Sequence, residues 1–123
     1  MNNESKKIVK IVTRCLLEKK ACDIKLINVE KITSLADIFI ICTSESDPQT
    51  KAIANHIKDS LAEQNIKSWH TEGYQQLRWV LIDYVDIVIN IFNTEARGYY
   101  NMERLWADAD IQLIEESFKK NEN

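Results

Sequence analysis

Glycine and proline are scarce in this sequence, with two and one in 123 residues. With only Gly73 and Gly98 to supply flexible backbone, neither a phosphate-cradling P-loop nor a dinucleotide fingerprint can be written. No Gly-x-Ser-x-Gly elbow occurs, and no cysteine sits in a context that suggests a nucleophile. The three cysteines, Cys15, Cys22 and Cys42, form no Cys-x-x-Cys pair and are odd in number. They read as reduced, buried small residues rather than a disulfide framework. The two histidines, His56 and His70, lie far apart, with no cysteine or carboxylate at metal-ligand spacing. The expectation is therefore no metal and no cofactor. No apolar run approaches the ~18 residues of a membrane span. The longest, Leu35 to Cys42, is interrupted by Asp37. Lys10 and Arg14 break any apolar core of an N-terminal signal. These absences predict a cytoplasmic protein with no membrane partner.

What is present is an ordinary globular composition, 45% hydrophobic and 28% charged. At this length the chain predicts one domain that buries roughly two-thirds of its unfolded surface. The net charge is −3 but unevenly spread. Residues 1–20 hold six Lys or Arg against Glu4 and Glu18, a net +4, which leaves −7 for the rest. Between 72 and 108, Glu72, Asp83, Asp86, Glu95, Glu103 and Asp108 face three arginines. No basic stripe runs through the aromatic region, which argues against sequence-specific nucleic-acid binding. A basic protein surface suits this acidic half better.

Residues 4–20 predict a helix, because Ile8, Ile11, Val12, Cys15 and Leu16 form one apolar stripe with lysines behind it. It carries no bulky aromatic to anchor it in a membrane interface, so it packs on the domain. Residues 24–29 predict a strand. The run from Ala36 to Cys42 predicts a central strand covered on both faces. Asp47, or Ser46 with Gln49 at the capping-box position, caps a second helix reaching about Gln64, with Pro48 in its first turn and Asn65 beyond its end. Ile66 to Thr71 predicts a short strand, and Gly73 allows the turn that follows. After Phe92, Asn93 or Thr94 caps a helix over 95–107. A last amphipathic helix runs from Asp110 to Lys120, within a C-terminal helix and frayed tail over about 108–123. The order α-β-β-α-β-β-β-α-α predicts a single α/β domain over 1–123. Its mixed sheet has about five strands, with helices packed on it.

The informative stretch is 72–106. Trp79–Asp83 and Asp86–Phe92 alternate with period two and predict a β-hairpin. With Tyr84 and Val85 as a two-residue turn, Asp83 faces Asp86, Leu81 faces Val88, and Trp79 faces Asn90. One face carries Val80, Ile82, Ile87 and Ile89. The other carries Trp79, Leu81, Asp83, Asp86, Val88, Asn90 and Phe92, apolar but studded with polar groups. Two carboxylates on one face are costly to bury unpaired. A two-layer domain would leave that face partly open, as a candidate partner-binding surface. Strand–Thr43-Ser44–helix followed by Asp83 and Asp86 loosely resembles a nucleotidyltransferase. The alternative reading is thus a residual nucleotide-binding or nucleotidyltransferase-like enzyme, although two-metal chemistry needs carboxylates that converge beside a phosphate cradle.

Six separated motifs between Ala36 and Trp106, in order within a match that runs from about residue 5 to 108, carry a more specific likeness. They are Ala36-Asp37-x-Phe39-Ile40-Ile41, Ser46-Asp47-x-Gln49-x-Lys51-Ala52-Ile53-Ala54, Glu72-Gly73-Tyr74, Arg78-Trp79-Val80-Leu81-x-Asp83, Asp86-Ile87-Val88 and Tyr100-Asn101-x-Glu103-Arg104-Leu105-Trp106. Together they closely resemble the ribosomal silencing factor family (RsfS, Iojap or YbeB). The resemblance implies a nucleotidyltransferase-like topology without catalytic motifs, hence no enzyme. It also implies binding to the large ribosomal subunit through its ribosomal protein number fourteen, a basic partner, where it sterically prevents the small subunit from joining and so represses translation. Homodimers also occur in that family. On this reading Trp79 is the apolar anchor, with Leu81 and Val88 extending its footprint. Asp83, Asp86 and Glu72 pair with Lys or Arg of the partner, and Asn90 hydrogen-bonds beside Trp79. Tyr100, Arg104 and Trp106 are read as packing residues, with Arg97 and Arg104 as intrachain partners for the acids. The chain departs from the family pattern at Val85, where the family usually has Gly, at Asn90, where it usually has His, and at Ser44, where Gly is common.

Overall fold

Asn2 opens the first helix, α1 (Asn3–Glu18), by accepting the Ser5 N–H on Oδ1 at 2.7 Å. In this computed structural model, which describes residues 1–114, the stripe Ile8, Ile11, Val12, Cys15 and Leu16 is buried. Lys20 takes a left-handed φ of 60° and closes the helix, so that Ala21 N–H reaches the Leu16 carbonyl at 2.9 Å. Strand β1 (Cys22–Asn28) follows, and then β2 (Ile38–Ser44), in which all seven residues are buried. Helix α2 (Asp47–Ala62) is capped by Ser46, with Pro48 in its first turn, and closed by Asn65 at φ 61°. The Gln49 side chain accepts from Glu45 N–H and donates to the Lys19 and Lys20 carbonyls, tying the start of α2 to the end of α1.

The chain then forms β3 (His70–Glu72), β4 (Trp79–Asp83) and β5 (Ile87–Asn93), the short helices α3 (Thr94–Tyr100) and α4 (Met102–Leu105), and β6 (Asp110–Ile114). The six strands make one sheet in the order β3-β4-β5-β2-β1-β6. Only β2 and β5 run parallel, and the other neighbours are antiparallel. One face of the sheet packs Ile24, Ile38, Ile40, Val80, Ile82, Ile87, Ile89 and Ile91 against α1 and α2. Deleting such a fully buried branched side chain costs about 2–5 kcal/mol. The opposite face holds a second, smaller cluster of Ile27, Val29, Ala36, Phe39, Ile41, Val88, Phe92 and Ala96. Met102, Trp106 and Ala109 pack against it from the C-terminal segments.

Four expectations change. The sheet has a sixth strand, because residues 110–114 pair with β1 as an edge strand instead of starting a helix; the remainder of that expected helix lies outside the described residues. The helix expected over 95–107 is broken at Asn101, whose φ of 45° ends α3 and redirects the chain into α4. The hairpin register is Trp79–Phe92, Leu81–Asn90 and Asp83–Val88, two residues away from the expected pairing. Its turn lies at Val85-Asp86, where Val85 takes φ 72° and the Tyr84 N–H donates to the Ile87 carbonyl at 2.9 Å. Finally, the second face is open at its sides rather than its centre. α3, α4 and their flanks cover the centre, while the β3–β4 side and the β6 edge, with Ile111 and Leu113 exposed, remain partly open.

Candidate partner-binding site

The slip of two residues preserves the period-two parity, so Trp79, Leu81, Asp83, Val88, Asn90 and Phe92 still share one face. Trp79 is half-buried there. Its indole stacks on Phe92 with centroids 5.0 Å apart and meets Tyr100 at 4.7 Å. Its Nε1–H donates to Asn90 Oδ1 at 2.9 Å. Asn90 is 0% exposed and completes its own bonding by donating to the Val88 carbonyl at 3.4 Å. A buried amide at this position needs a partner, and the indole supplies one while being fixed in orientation. The contacts expected from Asn90 and Val88 are corrected accordingly. Both are buried, so neither offers surface of its own; Asn90 holds the indole, while Val88 lies level with Asp83 and accepts from the Asn90 amide through its carbonyl.

Gly73 lies beside this arrangement at φ 80°. A Cβ there would stand 2.0 Å from the Trp79 carbonyl oxygen, so the turn entering the hairpin fits no other residue. A cleft of about 340 Å³ opens next to it, lined by Glu72, Gln76, Arg78, Trp79, Leu81 and Tyr100. Glu72 is exposed, while Leu81, Asp83 and Asp86 are half-buried. Asp83 also works within the chain. Its Oδ1 accepts the Val85 N–H at 2.7 Å, pinning the strained turn, and its other oxygen lies 3.9 Å from His70 Nδ1. His70 Nε2 lies 3.5 Å from Glu72, so one imidazole stands between two of the expected acids.

Tyr99 and Leu105, on α3 and α4, are 77% and 73% exposed, and Tyr100 is 46% exposed. These side chains continue the apolar surface from Trp79 outward, and a shallow depression connects them through Gly98, Asn101 and Arg104. The helical period puts Tyr99 on one side with Ala96, Met102 and Trp106, and that pattern marks neither Tyr99 nor Leu105 for a partner, yet both are exposed. The signal available was two adjacent tyrosines after a glycine in a short helix, which cannot both face the sheet.

Arg97 fastens α3 to the sheet. Only 8% exposed, it donates to Thr43 Oγ1 at 2.8 Å and pairs with Glu103 at 3.0 Å and Asp23 at 3.2 Å. Lys25 also reaches Glu103, at 3.2 Å. Burial pushes the Glu103 carboxyl up, but the hydrogen bonds from Arg97 and Lys25 outweigh it and hold it below the usual glutamate range. Arg97 is thus an intrachain partner for acids, as expected. It is also unsuited to hold a phosphate, because two carboxylates already flank it. Asp83 and Thr43-Ser44 lie at opposite ends of their strands, since Asp83 is level with Val88 and Phe39 while Ser44 is level with Asn93. Five residues of strand separate those levels by roughly 16 Å. Two-metal chemistry has no point of convergence there.

None of the helices among the described residues is long and apolar enough to cross a membrane. The family model described as "Ribosomal silencing factor during starvation" (RsfS) matches residues 2–123. Ribosomal silencing factor RsfS of Bacillus subtilis is 42% identical over 111 residues, covering 90% of this chain and 92% of the relative. That of Halalkalibacterium halodurans is 39% identical, covering 94% and 97%. A crystal structure of a protein from Chromobacterium violaceum superposes with a TM-score of 0.80 at 33% identity, covering 83% of this chain and 85% of that one.

Proposed function

Starting from the fact that this chain belongs to the ribosomal silencing factor family, we propose that it represses translation by obstruction and catalyses nothing. It binds the large ribosomal subunit in the cytoplasm, through a basic surface of ribosomal protein number fourteen, and occupies the face where the small subunit would dock. The observation that carries this reading is the half-open aromatic group of Trp79 and Tyr100, continued by Tyr99 and Leu105 and edged by the Glu72 carboxylate. An apolar centre with a charged rim is the usual anatomy of a protein–protein interface.

Trp79 and Leu81 supply the anchor, with Tyr100, Tyr99 and Leu105 widening its footprint. Glu72, Asp83 and Asp86 meet Lys or Arg of the partner, and set orientation and association rate more than affinity. Asn90 acts indirectly, by holding the indole in place, and the Val88 carbonyl fixes the Asn90 amide. Truncating a central Trp typically costs more than about 2 kcal/mol of binding, or roughly thirtyfold in affinity.

The test is sedimentation of purified large subunits with the protein, followed by addition of small subunits. The wild type should co-sediment and suppress joined particles. Trp79→Ala should do neither at the same concentration, while its circular dichroism shows a folded chain. Normal coupling of subunits with wild-type protein in excess would overturn the proposal.

A further inference from the structure

Away from that face, the packing of α1 on α2 gathers three metal-ligating groups that the sequence keeps far apart. Cys15 and Glu18 stand three residues apart on α1 and so point to the same side, and His56 reaches them from α2. His56 Nε2 lies 2.8 Å from Glu18 Oε1, and Cys15 Sγ lies 3.8 Å from the His56 carbonyl oxygen. One donor atom from each residue, a sulfur, an imidazole nitrogen and a carboxylate oxygen, falls within 4.8 Å of the other two. Linear spacing gave no hint of this, because the two halves of the cluster sit on different helices.

We propose that Cys15, Glu18 and His56 form a binding site for a zinc-type divalent cation that clips α1 to α2. Thiolate, imidazole and carboxylate are the donors such an ion accepts, whereas the sulfur and nitrogen disfavour magnesium and calcium. Tetrahedral coordination at 2.0–2.3 Å sets neighbouring donors about 3.5 Å apart. Glu18 and His56 therefore open slightly from their hydrogen-bond distance while Sγ closes on them. All three adjustments are side-chain rotations on helices already in contact. Cys15 is fully buried, whereas His56 is half-buried and Glu18 exposed. The sulfur thus forms the floor of the site and the other two its rim, leaving a fourth position open to water. The thiolate and the carboxylate together balance the charge of the ion. Metal entry requires loss of the thiol proton.

Cobalt(II) titration of the full, chelator-stripped chain tests the site. The expected result is one equivalent bound, with thiolate-to-cobalt charge-transfer absorption that zinc then abolishes. Cys15→Ser should remove that absorption, and Cys22→Ser should leave it unchanged. Because Cys15 is buried and its replacement could unfold the chain, His56→Gln and Glu18→Gln give independent readings from the rim. Each should weaken metal binding by about tenfold or more, since loss of even an outer-shell partner costs that much, with unaltered circular dichroism. Zinc should raise the melting temperature of the wild type and not that of His56→Gln. The proposal is overturned by cobalt spectra without a charge-transfer band, by a band that follows Cys22, or by wild-type affinity in His56→Gln. Any of these would leave only an interhelix hydrogen bond.

Discussion

Replacing Trp79 by phenylalanine separates the two roles of the indole. The six-membered ring keeps its place between Phe92 and Tyr100, but the Nε1–H that Asn90 accepts at 2.9 Å is gone. Asn90 is fully buried, so its Oδ1 is left without a donor in a site that water does not reach. Stranding a buried acceptor costs about 1–3 kcal/mol. For a chain of this length, that lowers the melting temperature by roughly 4 to 12 °C. The reverse change is milder in hydrogen-bonding terms. In Asn90→Leu the indole N–H of the half-exposed Trp79 can turn to water. The double variant loses both partners, so it should be more stable than the sum of the single losses predicts, by about 1 kcal/mol. Urea titrations of the four proteins, followed by circular dichroism, measure this coupling. Losses that add to within ~0.3 kcal/mol would refute the reasoning, because the bond would then contribute nothing specific. On the proposed function, Trp79→Phe should also co-sediment with large subunits nearly as well as the wild type, since the apolar footprint survives.

Other outcomes follow from the same geometry. Gly73→Ala should destabilise the protein by roughly 2 kcal/mol or more, because the added Cβ meets the Trp79 carbonyl at 2.0 Å and φ is positive; thermal melts check this. Val85→Asn should stabilise it by about 1 kcal/mol, since a β-branched residue at φ 72° is strained and Val85 is 58% exposed, so that little burial is lost; urea midpoints decide. Glu103 is depressed in the folded chain, so the unfolded chain takes up its proton first as pH falls. Its contribution is complete above the ordinary glutamate pKa of about 4.3 and is lost as pH drops through the lower folded value. Glu103→Gln should therefore lose stability at neutral pH and show a shallower fall in acid, measured as unfolding free energy against pH.

The parts of the fold that were legible in the sequence are those fixed by local patterns. The stripes of α1 and α2 and the Ser46 cap need only the 3.6-residue period and a hydroxyl in the right place. The uninterrupted apolar run of β2 needs only a central position in the sheet. What escaped was decided by contacts distant in sequence, or by residues acting against their own preference. Ile111 and Ile114 suit a helix stripe as well as a strand, and only pairing with Ile27 and Ile24 of β1 selects the strand. With two glycines in the chain, left-handed positions fall to Lys20, Asp23, Asn65, Leu77, Val85 and Asn101, of which Lys20, Leu77 and Val85 announce no turn. Val85 is the instructive case. The sequence favours a turn that spares it positive φ, yet the Asp83 carboxylate on its N–H and the buried ladder of Ile82 on Ile89 hold it there.

The same register shift leaves the expected face of the hairpin intact. A one-residue error would have moved Trp79 onto the face covered by α1 and α2, whereas a two-residue error leaves every side chain on its own face. Which strand residues share that face was therefore legible from alternation alone, and their depth was not. Depth depends on α3, whose break at Asn101 and anchor at Arg97 bring Tyr100 down on the indole while Tyr99 and Leu105 stay outside. Arg97 is thus the clip that fastens α3 to the sheet. Its guanidinium is buried among Thr43, Glu103 and Asp23, touching none of the aromatic side chains itself, yet it fixes the helix that carries Tyr100 onto the indole. Loss of that clip should alter binding to large subunits without any contact residue having changed. Arg97→Lys, which keeps the charge but cannot span three acceptors at once, is the variant that shows it. Its expected signature is weaker co-sedimentation together with a Trp79 fluorescence spectrum shifted towards that of a solvated indole. An unshifted spectrum with normal co-sedimentation would show that α3 holds its place without the arginine.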